Sequence, residues 1–513
     1  MAALLAGALV LSACGGGSSG SADGSGSGGV LRLAGDLSGD SGAVFDPSVM
    51  IQATPFWLIS PVYGSFVHEL ADGSYEPDLA ESVAVADPST LEVKLFPDQK
   101  FSDGSVFDAE AVKWSLERTV AAKSAGLDGR LQEVDSIDVK SPTEFTISLK
   151  TPIAGSFVNL LAQQDTAVVS KKAVDDGIDI TSHPVGAGPF VMKSFKKEAS
   201  YVLEKNPDYV HADKIALDGV EVTHATTADP QVQANLLLSK KIDAAAGLAQ
   251  LSPDNLGALE NGGLKTSSDP SDSYLASLSF CKNRPPFDDE RVRQAISYAI
   301  DRDELVELGA QGYGEAAWDW FPKGSSNHDP AAEGNFAHDP AKAKELLAEA
   351  GMSNLKVTMS ASSGPLRRPA EVIQAQLREA GIDVEVKVLA GGEWVQSYLI
   401  DAKQDFAISA SGRKGVDKVS RWLLPGTTGN VCGWDDPKLN SAVAEAAGLE
   451  DGTPELNEAW KTITDLTIEN GVMTVLYFQT DNAAWSSDTI DKIEFTPDSL
   501  RNLNVDVTRT TLK

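Results

Sequence analysis

Residues 339–388 carry the pattern that most restricts how this chain can fold. Asp339-Pro340 reads as a helix N-cap and first turn. Ala343, Leu346, Leu347 and Ala350 then share one apolar face, and Gly351 supplies the stop. Leu355, Val357, Met359 and Ala361 alternate with polar or small residues, as a half-buried strand does. A second helix places Val372, Ile373, Leu377 and Ala380 on one side and ends at Gly381, after which Ile382, Val384, Val386 and Val388 alternate again. Strand, helix and strand at this spacing form a βα unit, which calls for an α/β sheet with helices packed on it.

The same alternation runs from Val30 onward. Asp108 is expected to cap a helix carrying Val112, Leu116 and Val120, and Asp288 one carrying Val292, Ala295, Ile296, Ala299 and Ile300. Segments 91–96, 144–149 and 473–478 read as strands. At 513 residues the chain exceeds what one core holds, about 250–300 residues, so at least two lobes are expected. There is no internal repeat and no long linker inside the body, so short crossings should join them. A composition of 42% hydrophobic and 23% charged residues excludes disorder over most of the length. The 43 basic against 74 acidic residues give a net charge of −31, which opposes nucleic acid or an anionic membrane surface as partner. No apolar run reaches the roughly 18 residues of a membrane span, so the body should stand outside the bilayer.

The N-terminus is different in kind. Residues 2–13 are small or apolar apart from Ser12 and end in Leu11-Ser12-Ala13-Cys14. This resembles the lipobox of bacterial lipoproteins, which implies removal of residues 1–13 as a signal peptide and lipidation of Cys14. No Lys or Arg precedes the apolar run, a departure from the signal-peptide pattern. Residues 15–29 comprise 8 Gly, 5 Ser, one Ala and one Asp, so 14–29 is expected to be the lipidated cysteine and a flexible tether. Gly16-Gly17-Ser18-Ser19-Gly20 matches G-x-S-x-G, but a nucleophile elbow needs a strand before it and a helix after it.

Other chemistry is thinly signalled. The histidines, at 68, 183, 211, 224, 328 and 338, show neither H-x-x-x-H nor H-x-H spacing, so no metal site is expected. Ser194-Phe195-Lys196-Lys197 matches S-x-x-K, yet its apolar pattern is that of a strand, which sends the two side chains to opposite faces. Gly186-Ala187-Gly188-Pro189 is expected to make a tight backbone turn and lacks the setting of a nucleotide site. No cofactor is expected.

Five segments in register carry a resemblance. They are Tyr63-Gly64 with Asp72 to Ser82, Phe101-Ser102-Asp103-Gly104-Ser105-Val106-Phe107-Asp108 with Ala109 to Ser115, Gly186 to Phe190 with Asn206-Pro207-Asp208-Tyr209, Val292 to Arg302, and Ala343 to Gly351. Together the chain resembles the extracellular solute-binding proteins of family 5, the dipeptide, oligopeptide and nickel group that serves ABC importers.

The resemblance implies a two-lobed α/β fold of the periplasmic-binding-protein type II, in the large cluster with an extra subdomain in the first lobe. Lobe I would comprise 30–75, 185–270 and 485–513, the extra subdomain 76–184, and lobe II 271–484. It implies a monomeric, non-enzymatic protein, lipid-anchored at the outer face of the cytoplasmic membrane. That protein would capture a small solute, foremost a peptide, and hand it to an ABC permease and ATPase complex. An oligosaccharide or metal chelate is the alternative ligand, and a secreted α/β hydrolase the competing class. In peptide-binding members an aspartate after a late strand pairs with the peptide's α-amino group. Asp417 is the candidate here, while Arg413 offers a bidentate grip on carboxylate or phosphate, or an ordinary surface pair. Trp422 and Trp394 are expected to line the cleft, and Phe45 lies in a segment similar to one beside it. With Cys14 lipidated and the protein exported, Cys281 and Cys432 are left to form a disulfide.

Overall fold

The computed structural model describes residues 28–513 except 36, 38–44, 50–55, 71–73, 123–128, 226–229, 247–250, 252, 326, 364–365, 412–414, 426, 428, 431, 450–451 and 498–502. Residues 1–13, Cys14, most of the 15–29 stretch and Arg413 therefore lie outside the described residues. The fold is a two-lobed α/β arrangement. In the first lobe Val30–Gly35 runs parallel to Gly219–His224, and the sheet continues antiparallel through Ser200–Lys205 and Phe190–Lys196. Register places Leu31 and Leu203 beside Val220, and Tyr201 beside Val222, all five buried on one apolar face.

The Gly186 to Pro189 stretch serves a different purpose from the expected turn. Neither glycine has a positive φ. Instead two backbones pass in contact: a Cβ on Gly186 would lie 2.3 Å from the Val62 carbonyl oxygen, and one on Gly188 2.5 Å from the Gly64 nitrogen. Close approach, not chain reversal, requires glycine here.

A second sheet, antiparallel in the order Ala80–Asp87, Thr90–Leu95, Glu144–Leu149, Val134–Ser141, forms within the first lobe. Leu91, Val93 and Leu95 face the same way as Phe145, Ile147 and Leu149, all buried. The helix Ala109–Ala122 packs on them through Val112, Leu116 and Thr119, and the Asp108 carboxylate accepts from the Ala111 N–H at 3.0 Å as its cap.

The second lobe holds a larger sheet in the order Ala244–Ala246, Met473–Trp485, Lys265–Phe280, Phe406–Ser411, Lys356–Ser362, Asp383–Leu389, with Gly314–Ala316 added beside Met473–Trp485. Lys356–Ser362 and Asp383–Leu389 are parallel and joined through the helix Arg367–Glu379. Alternation along the strands feeds two cores. Phe406, Ile408 and Leu476 join Ile296, Leu347, Ile373 and Leu377, whereas Ala407, Val475 and Phe478 join Trp320, Trp422, Leu439 and Trp460. The Asp339 cap accepts from Lys342 N–H at 2.9 Å. The helix Glu290–Tyr298 starts one residue later than the sequence suggests: Asp289, not Asp288, is its cap, because its carboxylate accepts from the Arg291 N–H at 2.9 Å.

Lys265–Phe280 and Met473–Trp485 link the lobes. One end of this antiparallel pair meets Ala244–Ala246, whose residues pack with the first lobe, and the other lies in the second lobe's sheet. Their register jumps between Pro270, opposite Thr480, and Leu275, opposite Phe478. Four residues on one strand thus answer a single residue on the other, a bulge at the crossing between lobes.

Candidate functional site

The sequence-derived candidates fall in different environments. Phe45 is fully buried, its ring 5.1 Å from Phe195 and 5.4 Å from Tyr201. Beside it Asp46 is gripped at both oxygens by Arg118, at 2.8 and 2.6 Å. Burial alone would raise the Asp46 carboxyl, but the Arg118 and Ser48 hydrogen bonds hold it below its ordinary value. This pair ties the Pro47–Val49 turn to the subdomain helix Ala109–Ala122.

Trp394 and Trp422 lie in the second lobe within one apolar cluster, 8% and 3% exposed. Trp394 stacks obliquely on Tyr398 at 5.2 Å. Among the described residues neither indole N–H has a hydrogen-bond partner, which is costly for a buried donor. Trp422 is carried by the helix Gly415–Leu423, whose apolar residues Val416, Val419 and Leu423 turn the same way.

Asp417 stands in the first turn of that helix, not in a loop, and its carboxylate meets the Arg130 guanidinium at 2.7 Å. Arg130 belongs to the subdomain turn Gly129–Glu133, so the pair spans from the first lobe to the second. Around it the subdomain helix Ala154–Leu161 touches the helices Gly415–Leu423 and Pro437–Ala447. A cavity of about 30 Å³ at this seam is lined by Arg130, Asn159, Asp417, Leu449 and Trp460 among others. Two wider hollows, about 630 and 640 Å³, open elsewhere on the second lobe and contain none of the sequence-derived residues.

Cys281 and Cys432 are joined by a disulfide with Cα atoms 5.4 Å apart. The Cys281 N–H donates to Asp405 O at 2.8 Å, and the Asn283 amide donates to Cys432 O. Among the described residues Cys281, Cys432 and Asp405 bring three potential metal donors within 4.8 Å of one another, but both sulfurs are spent on the bridge. Next to it Lys282 is 7% exposed with its ammonium 5.0 Å from the Trp434 ring. Burial and the nearby Arg293 push this amine down to about 7.

Sequence reasoning missed Arg130, Lys282 and Lys418. The Lys418 ammonium is fully buried, donates to Trp320 O at 2.9 Å and lies 5.3 Å from the Phe321 ring and 5.4 Å from Phe478. Basic residues in polar-looking stretches give no local signal of such burial. Between the lobes the polar residues of the linking strands satisfy one another: the Ser268 hydroxyl is 2.8 Å from Asn482 Oδ1 and 3.0 Å from the Thr480 hydroxyl, and Asn482 donates to Leu251 O at 3.0 Å.

Comparison with known proteins adds three findings. Residues 74–427 match the family model described as bacterial extracellular solute-binding proteins, family 5 middle. The glutathione-binding protein GsiB of Pectobacterium atrosepticum is 32% identical over 330 residues, and that of Escherichia coli K12 is 31% identical over 327. Each match spans 61% of this chain and only 61% of the relative's own length. Among solved structures, the substrate-binding protein CtaP of Listeria monocytogenes superposes with a TM-score of 0.79 at 20% identity, covering 95% of this chain and all of its own. A dipeptide-binding protein of Pseudoalteromonas sp. SM9913 in complex with Met-Leu gives 0.75 at 20%, covering 94% of this chain and 100% of that one. The agropinic acid complex of AgaA gives 0.73 at 22%, covering 93% and 99%. At such identities the structures speak for the fold alone.

Proposed function

Since the chain belongs to the bacterial extracellular solute-binding proteins of family 5, we propose that it captures a small solute between its lobes and delivers it to an ABC permease and ATPase complex. The observation that carries this is the strand pair Lys265–Phe280 and Met473–Trp485, which crosses between the lobes at a register jump. Such a crossing concentrates bending in few residues while each lobe stays rigid. Ligand then acts by binding the closed arrangement more tightly than the open one, and no bond is broken.

A peptide is the solute we favour, supported by relatives that are glutathione-binding proteins and by a structural neighbour bound to a dipeptide. Trp394 and Trp422 would line the site, each bringing an N–H donor that has no partner among the described residues and that a ligand oxygen can satisfy, while Arg413 would grip an anionic group. Phe45 would support the first-lobe wall from beneath, through Phe195 and Tyr201. The protein works as a monomer held to the outer face of the cytoplasmic membrane through lipid on Cys14. Mass spectrometry of solute released from protein purified without refolding tests this. A stoichiometric peptide is the expected result. Empty protein that turns over ester, peptide or glycoside substrates would overturn the proposal.

A further inference from the structure

We infer that Arg130 and Asp417 form a latch through which the extra subdomain keeps a fraction of the ligand-free molecules closed onto the second lobe. The cation is set by its own side of the seam: Arg130 Nη1 donates to Ser156 O at 2.5 Å, leaving Nη2 to reach Asp417 at 2.7 Å. Both side chains are largely screened from water, 12% and 17% exposed, so the pair keeps more of its attraction than a surface ion pair would. Asp417 sits in the first turn of a nine-residue helix, where the helix dipole favours a carboxylate. That helix is anchored in the second lobe by Val416, Val419, Trp422 and the Lys418 bond to Trp320 O. Holding Asp417 therefore holds the lobe.

The seam around the pair is built for contact. A Cβ on Gly155 would lie 2.0 Å from Leu449 O across the seam, and one on Gly448 would lie 3.1 Å from Pro152 O and 3.3 Å from the Pro88 Cβ. Glycine on each side lets the two backbones meet, which a loose rim of charges would not need. With its carboxylate committed across the seam, Asp417 serves closure, and the solute's amino group is read by other residues.

The latch rests on the reading of two closing lobes, but its test needs no ligand and so fails separately from the choice of solute. Nitroxide labels at the exposed positions Glu110 and Glu455 report the distance between subdomain and second lobe in the full, ligand-free protein. A short-distance component is expected. Arg130→Gln and Asp417→Asn should each cut the ratio of short to long distances roughly tenfold, the scale of one charge-assisted hydrogen bond. Asp417→Glu, which keeps the charge at the helix N-terminus, should retain more of the short component than Asp417→Asn. Gly155→Ala, which favours its helix but sets a methyl against Leu449 O, should open the molecule without any change of charge. A single long distance in the parent, or distributions unchanged in Arg130→Gln, Asp417→Asn and Gly155→Ala, would overturn the latch.

Discussion

Replacing both bridged cysteines, Cys281→Ser with Cys432→Ser, should destabilise the second lobe by about 2–5 kcal/mol. The bridge spans 151 residues of sequence. For a loop of that size the chain-entropy relation gives about 5 kcal/mol, an upper figure because residual structure in the unfolded chain reduces it. The native frame survives the change, since the Cys281 N–H to Asp405 O bond and the Arg284–Asp405 ion pair at 3.0 Å do not use sulfur. The loss should therefore appear almost entirely as unfolding free energy, without a change in shape. At about 2–4 °C per kcal/mol for a lobe of this size, the melting temperature should fall by roughly 4–20 °C. Urea unfolding followed by tryptophan fluorescence, with and without reductant, reads it directly. A midpoint that moves by less than about 0.5 kcal/mol equivalent at unchanged slope would refute the entropic argument, as would two alkylatable thiols in unreduced parent protein.

Three further outcomes follow from the same physics. Cys14→Ala should release the body from membranes without altering its melting temperature, and an unmodified Cys14 peptide in the membrane fraction would contradict the anchor. Gly188→Ala should cost about 1–3 kcal/mol, because its methyl must displace the Gly64 backbone, measured as a loss in urea midpoint. Burial alone would push His68 down, but Asp506, 2.8 Å away, holds it above the ordinary histidine value, so the stability it adds is present below about pH 6.5 and lost as pH rises through that raised value. His68→Gln should flatten this alkaline decline in pH-dependent denaturation; an identical slope in parent and variant would count against it.

Much of the fold was legible wherever a cap, an apolar face and a glycine stop agreed, as from Asp339 to Gly351. The subdomain strands Thr90–Leu95 and Glu144–Leu149 were likewise legible, because one face of each is apolar. The linking strands were legible only at their apolar ends. Through Ser268, Thr480 and Asn482 they are polar, and these side chains satisfy one another, which leaves no periodicity to detect. The proposed division between 270 and 271 falls inside the strand Lys265–Phe280 for that reason. Arg130 was invisible because its partner lies far along the chain, in a helix whose first turn reads as loop.

The central claim is capture by closure between lobes. Small-angle scattering on protein stripped of its co-purifying solute and then reloaded with it tests this most directly. The account predicts that the radius of gyration falls on loading while the fold is otherwise unchanged. Tight binding with no change in radius, in a protein that is open before loading, would contradict it.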